Sequence, residues 1–417
     1  MPRPYSYTRN RINFQIAKKW ATAFGENFPV RVWGGTSSFV KIAARRYTPE
    51  CDAMQNLRMK REQDGSILDD QGRIIYFSPE RFKTDVCLGD SCFVCGISPQ
   101  AAPFNNEHVI SHWILRRFNL FGRRLTLPNQ TEIEYRQHTV PCCEKCNTLL
   151  GRTLEQPMSD LMTHGFDAFR RQLPAAVSVV FQWLCLTVFK SHYRDRLMRM
   201  TLDRRAPDSR IADLYDWDEL HHIHAVARAM HTGCRIDPSV IGSMHIFEVT
   251  ENEHEESFDF ADLYPAQAVL VRINDVAIVA VLNDSCGASN GFEPLSKRIT
   301  ASVSAIQLRE ILAHLAVINL HIKRRPKYWT RVGDKPGECM ICAEVPEIFE
   351  METPDAKAFG SILMRTCGGL VQQMANPDKE EILRAIENGR YTFLFNTDGS
   401  FNKNSLRFVE TNGIGRP

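Results

Sequence analysis

An α+β fold is predicted from three observations. Apolar runs of helical periodicity and β-branched runs of strand length both occur, they do not alternate in a regular βαβ order, and turn signals divide them unevenly. With 417 residues the chain is long enough for two or three domains. Hydrophobic residues make up 43% and charged residues 24%, a balance that excludes extended disorder and fibrous architectures for most of the chain. Composition then marks three regions: a basic N-terminal segment over 1–84, a cysteine-rich module over 85–157, and an α+β region over 158–417 that is helical first and strand-containing later.

In the N-terminal segment a helix is predicted from Asn13 to Phe24 and β structure from Phe28 to Trp33, with Gly34-Gly35 and Asp69 to Gly72 as turns. Pro174 predicts the start of a helix running to about Met200, since its missing amide hydrogen costs nothing in a first turn. The apolar part of that helix, Ala175 to Phe189, is interrupted by Ser178, Gln182 and Thr187 and falls short of a bilayer span, so it is assigned to the core, with no chemistry and no membrane partner. A further helix is predicted over Trp217 to Met230, ending at Gly233. Ala268 to Ile273 and Val276 to Leu282 are strands joined through Asn274-Asp275. Ser304 to Ile322 returns to helical periodicity, with Ile306, Leu308, Ile311, Leu312, Leu315 and Ile318 on one broad face.

Net charge is only +2, but it is unevenly spread. Residues 1–62 carry twelve Lys or Arg against four acidic residues, and 164–210 carry nine against four, whereas 248–262 hold seven acidic residues and no basic one. Segregated basic surface suits a phosphate backbone and equally a solvated face. The N-terminus has no apolar run behind its basic residues, which predicts a cytoplasmic location. Thirteen cysteines in such a compartment are expected as thiols and metal ligands.

Six of them fall between Cys87 and Cys146. Cys92-Phe-Val-Cys95 and Cys143-Glu-Lys-Cys146 are two CxxC pairs, each a tight turn able to give two thiolates to one tetrahedral Zn²⁺. Cys87 and Cys142 stand beside them as substitutes or free thiols. A third CxxC, Cys339-Met-Ile-Cys342 with Cys367 nearby, has no evident fourth ligand and is expected as a buried pair of thiols. The basic and aromatic run His321 to Trp329 suits either a nucleic-acid backbone or an ordinary helix end.

Between the first two pairs comes Glu107-His108-Val-Ile-Ser-His112-Trp113, and the second pair runs directly into Asn147. In this order and spacing, Cys92 to Glu155 resembles the HNH endonucleases, the zinc-bearing branch of the ββα-metal (His-Me finger) fold. The resemblance implies a small module with structural zinc at Cys92, Cys95, Cys143 and Cys146, and phosphodiester hydrolysis leaving a 5′-phosphate and a 3′-hydroxyl. It implies His108 as the general base, and Glu107 and Asn147 as ligands of a catalytic Mg²⁺ or Mn²⁺. The family's central Asn corresponds to His138, which departs from the pattern; His138 or Asn129 would then orient the base. Arg116, Arg117, Arg123 and Arg124 are candidates for gripping phosphates, with a solvated helix end as the plain alternative, and His112 is expected as a packing or surface residue. DNA is the expected partner, with a homo-oligomer or the partner proteins of an antiphage defence or restriction system as further expectations. Two other readings stay open: a non-catalytic zinc module that binds nucleic acid or a protein, and an RNA-directed nuclease.

Overall fold

The strands Ala268–Ile273 and Val276–Val281 are buried along their whole length, which demands cover on both faces of the sheet that holds them. The computed structural model describes residues 31–33, 59–250, 257–333, 338–353, 356–373 and 378–403, and there these strands pair antiparallel through a turn in which Asn274 takes φ +53°. They occupy the centre of a five-stranded sheet ordered Arg31–Trp33, Met244–Glu248, Val276–Val281, Ala268–Ile273, Phe258–Leu263. All neighbours are antiparallel except the first pair. The helix expected over Asn13 to Phe24 lies outside the described residues.

Strand alternation sends Val269, Val271 and Ile273 to one face and Ala268 and Leu270 to the other. The first face packs on the helix Gly165–Asp195, and the second on Ala305–Leu320. Helix Gly165–Asp195 begins nine residues before Pro174, where the sequence placed its start. The hairpin-turn carboxylate of Asp275 accepts from the Phe166 amide at 2.9 Å and so anchors the first turn, while Pro174 sits inside the helix and removes only one bond of the ladder. The helix also ends early, at Asp195 rather than Met200, because the chain turns back to bridge Arg199 with Arg210. By length and composition it contains a window apolar enough to cross a bilayer, yet 61% of that window is buried inside the protein.

The cysteine-rich module shares this packing. Val109, Leu115, Val140, Leu150 and Leu154 belong to the same buried cluster as Phe181, Trp183 and Phe189, so packing is continuous across residue 157. Past the sheet, Cys234 and Cys339 form a disulfide beside the paired strands Arg235–Ile236 and Met340–Glu344. This corrects the expectation that Cys339 and Cys342 are two buried thiols: Cys339 is in the disulfide, Cys342 on the strand Met340–Glu344 is only partly buried, and Cys367 lies apart, against Ile306. A helix does follow Trp217, as a short 3-10 turn continued by His221–Ala227 and Ala229–Thr232, and it stops at Gly233 with φ +72°.

Helix Ala305–Leu320 opens with a reciprocal cap: Ser304 Oγ accepts from the Gln307 amide, and Gln307 Oε1 accepts from the Ser304 amide. One turn later Glu310, fully buried, accepts from Thr392 Oγ1 and from the amides of Phe393 and Leu394. That carboxylate ties the C-terminal segment to the sheet layer. Glu310→Ala would strand these donors in the interior and is expected to cost about 3 kcal/mol. Urea unfolding checks this, and a loss within experimental error of zero would contradict it.

Candidate functional site

The strands Phe104–His108 and Thr139–Cys143 form an antiparallel pair with Glu107 opposite Val140 and His108 opposite Thr139. Cys143 caps the helix Glu144–Leu150, which continues through a widened π turn, Gly151–Glu155, into Gln156–Leu161. The two paired strands, separated in the chain by the helix His112–Arg117 and the strand pair Arg124–Thr126 and Glu132–Glu134, thus meet the helix Glu144–Leu150 at a thiol cluster.

Cys92 and Cys95 reach that junction on a tight turn in which the Gly96 amide donates to the Cys92 carbonyl at 2.8 Å. Gly96 is required there: its φ is +80°, and a Cβ would come within 2.8 Å of both Ile74 and Phe77. The Sγ atoms of Cys92, Cys95, Cys143 and Cys146 lie within 4.8 Å of one another, and can hold a metal ion such as zinc. Zn–S bonds of about 2.3 Å would separate tetrahedral sulfurs by roughly 3.8 Å. Cys95 and Cys143 are 3.7 Å apart. The buried thiol of Cys142 is 3.9 Å from Cys92 and makes a fifth sulfur at the cluster's edge. Neighbouring thiols, Cys142 first, hold Cys92 well below the usual thiol range by donating to its sulfur, and the same bonds with Cys92 raise Cys142, Cys143 and Cys146.

His108 ends its strand half-buried, in an aromatic triangle with His112 and Phe121; the ring centroids of His108 and His112 are 5.6 Å apart. Burial first, then the charges of His112 and Lys190, pushes His108 below its ordinary pKa, so the ring is neutral at pH 7. His112, expected to be a packing or surface residue, is thus the neighbour that shapes His108's electrostatics.

Glu107 points the other way. Only 6% of it is exposed, and its Oε1 accepts from Lys190 Nζ at 2.6 Å. Lys190, in the last two turns of the long apolar helix, is wholly buried. Its Nζ also donates to the His108 carbonyl at 2.7 Å and lies 3.5 Å from Glu155 Oε1. Burial raises Glu107 and the nearby Glu155 adds to that, with Lys190 opposing. On Lys190 burial acts downward, but Glu107 and Glu155 outweigh it and keep the ammonium protonated. Glu107 is therefore an ion-pair partner of Lys190 here rather than an open metal ligand, because an inward-facing carboxylate demands a counter-charge and the core helix supplies it.

Asn147, on the helix, donates to Asn105 Oδ1 at 2.7 Å, on the exposed side of the module. His138 is 3% exposed, and its Nδ1 has no hydrogen-bond partner among the described residues. Burial, with Arg194 adding to it, lowers its pKa to about 3. Its link to the strand of His108 is through the main chain, where its carbonyl accepts from the Val109 amide at 2.9 Å. Asn129 lies in a turn away from the site, accepting from Thr131 and donating to the Arg199 carbonyl. Arg116, Arg117, Arg123 and Arg124 are all exposed; Arg117 donates to the Met162 carbonyl and Arg124 pairs with Glu132. In the run His321 to Trp329, Arg325 turns inward to Asn319, and Trp329 is 47% exposed on the strand Lys327–Arg331.

Lys190, Glu155 and Asn105 were not singled out from sequence. The signal for Lys190 was present: a charge directly after the apolar stretch Ala175 to Phe189, on a helix assigned to the core, must have a buried partner.

The four-thiol cluster is expected to hold one zinc per chain, with Cys142 outside the ligand set. Cys146→Ser should lose zinc and unfold the module, whereas Cys142→Ser should retain one zinc equivalent by elemental analysis. Equal zinc loss in both variants would contradict this division. No protein-family model, no curated protein and no solved structure matches this chain.

Proposed function

We propose that this chain is an endonuclease that hydrolyses phosphodiester bonds of DNA, with His108 as general base on a ββα module anchored by structural zinc at Cys92, Cys95, Cys143 and Cys146. The observation that carries this reading is the position of His108. It is a neutral, half-exposed imidazole at the end of a strand whose partner strand leads through two of the thiols into a helix.

His108 takes a proton from water as the water oxygen bonds to phosphorus. The P–O3′ bond breaks, the 3′ oxygen is protonated, and a 5′-phosphate and a 3′-hydroxyl result. The exposed guanidinium of Arg116, at the end of the helix His112–Arg117 that follows this strand, is suited to a phosphate of the substrate. The Mg²⁺ or Mn²⁺ that the resemblance implies does not fit Glu107 and Asn147 as a ligand pair. Glu107 is buried against Lys190, Asn147 is held by Asn105 on the exposed side, and no step is drawn through the ion.

A second reading, a zinc module that binds nucleic acid without turnover, is favoured by the same engagement of Glu107. Nicking of supercoiled plasmid distinguishes the two. General-base catalysis is worth about a hundredfold to ten-thousandfold, so His108→Ala should lose at least about a hundredfold in rate with zinc content and DNA affinity retained. The base must be neutral to act, so the rate should rise with pH along an acidic limb whose midpoint lies below 6.5, and that limb should vanish in the variant. An unchanged rate in His108→Ala would reject the assignment, and DNA binding without cleavage by the wild type would select the second reading.

A further inference from the structure

We infer that the ammonium of Lys190 stands where a cation would otherwise sit between Glu107 and Glu155, so that the module carries this positive charge covalently and takes no divalent metal at Glu107. Three oxygens surround Nζ: Glu107 Oε1 at 2.6 Å, the His108 carbonyl at 2.7 Å and Glu155 Oε1 at 3.5 Å. The ammonium donates to the first two of these oxygens and faces the third as an ion pair, so its charge is met from three directions. Neither the amine nor Glu155 reaches the surface freely; the side chains of Lys190, Glu107 and Glu155 are 0%, 8% and 13% exposed.

The wrapping explains why a second cation is excluded. Mg²⁺ and Mn²⁺ favour oxygen ligands and, for Mg²⁺, several retained waters, which this enclosed position does not offer. Their charge would also meet that of Lys190 at close range. The local structure is arranged for the lysine instead. The π turn Gly151–Glu155 brings Glu155 round to the amine, and the strand brings Glu107 and the His108 carbonyl. Lys190 thereby acts as a positioning residue for His108, holding the main chain of that residue from behind.

Binding of Mn²⁺ to zinc-loaded protein, followed by the electron paramagnetic resonance signal of the free ion, tests this without turnover. The inference thus stands or falls separately from the proposed cleavage. Wild type and Glu107→Gln are expected to take up the same amount of Mn²⁺. Lys190→Met, which leaves two carboxylates facing each other, is expected to take up one further Mn²⁺ per chain, and Lys190→Met with Glu107→Gln to lose it again. Uptake by the wild type that disappears in Glu107→Gln would overturn the inference, as would a zinc-loaded, folded Lys190→Met that gains no Mn²⁺. If Lys190→Met does not fold, the comparison of wild type with Glu107→Gln decides alone.

Discussion

A charged amine buried near the end of an apolar helix is the constraint around which the candidate site is organised. Lys190 is completely buried, so the energy of removing its charge from water must be offset locally. Glu107, Glu155 and the His108 carbonyl do so. Glu107 and the His108 carbonyl come from one strand and Glu155 from the π turn Gly151–Glu155, and the bond to the carbonyl holds the main chain of the residue that carries the imidazole. Two carboxylates and one ammonium leave the cluster with a surplus of negative charge, which is why burial and Glu155 together raise Glu107 while Lys190 stays protonated.

Two anchors therefore fix one short strand pair. At one end the four thiols join the turn at Cys92 and Cys95 to the start of the helix at Cys143 and Cys146. At the other end the core helix Gly165–Asp195 grips Glu107 and His108. That helix also covers one face of the five-stranded sheet, and its first turn is tied to the sheet's hairpin by Asp275. A continuous set of contacts thus runs from the sheet to His108, and the module does not need a core of its own. Small zinc-bearing units commonly depend on their metal for folding; here the shared core supplements it.

Much of this was legible in the sequence where local chemistry decides. The CxxC spacing brought four sulfurs together, Asn274-Asp275 made the sheet hairpin, apolar periodicity marked the helix after Ser304, and Gly233 stopped another. What was not legible depends on partners distant in sequence. The helix start at Gly165 rather than Pro174 follows from a carboxylate about a hundred residues away, and the Cys234–Cys339 disulfide joins residues 105 apart. Glu107 was expected as a ligand on the resemblance alone, but strand alternation turns adjacent side chains to opposite faces, and only the tertiary fold shows that Lys190 meets the inward one.

The central claim is that Lys190 and Glu107 form one buried charge pair that holds the strand of His108. A double-mutant cycle on folding stability tests it most directly, using Glu107→Gln, Lys190→Met and the two combined. Removing one member of a buried pair typically costs about 3–5 kcal/mol, because the other is left uncompensated, while removing both is far less damaging. The double variant is expected to be more stable than either single variant, Glu107→Gln or Lys190→Met. Strict additivity of the two single losses would contradict it.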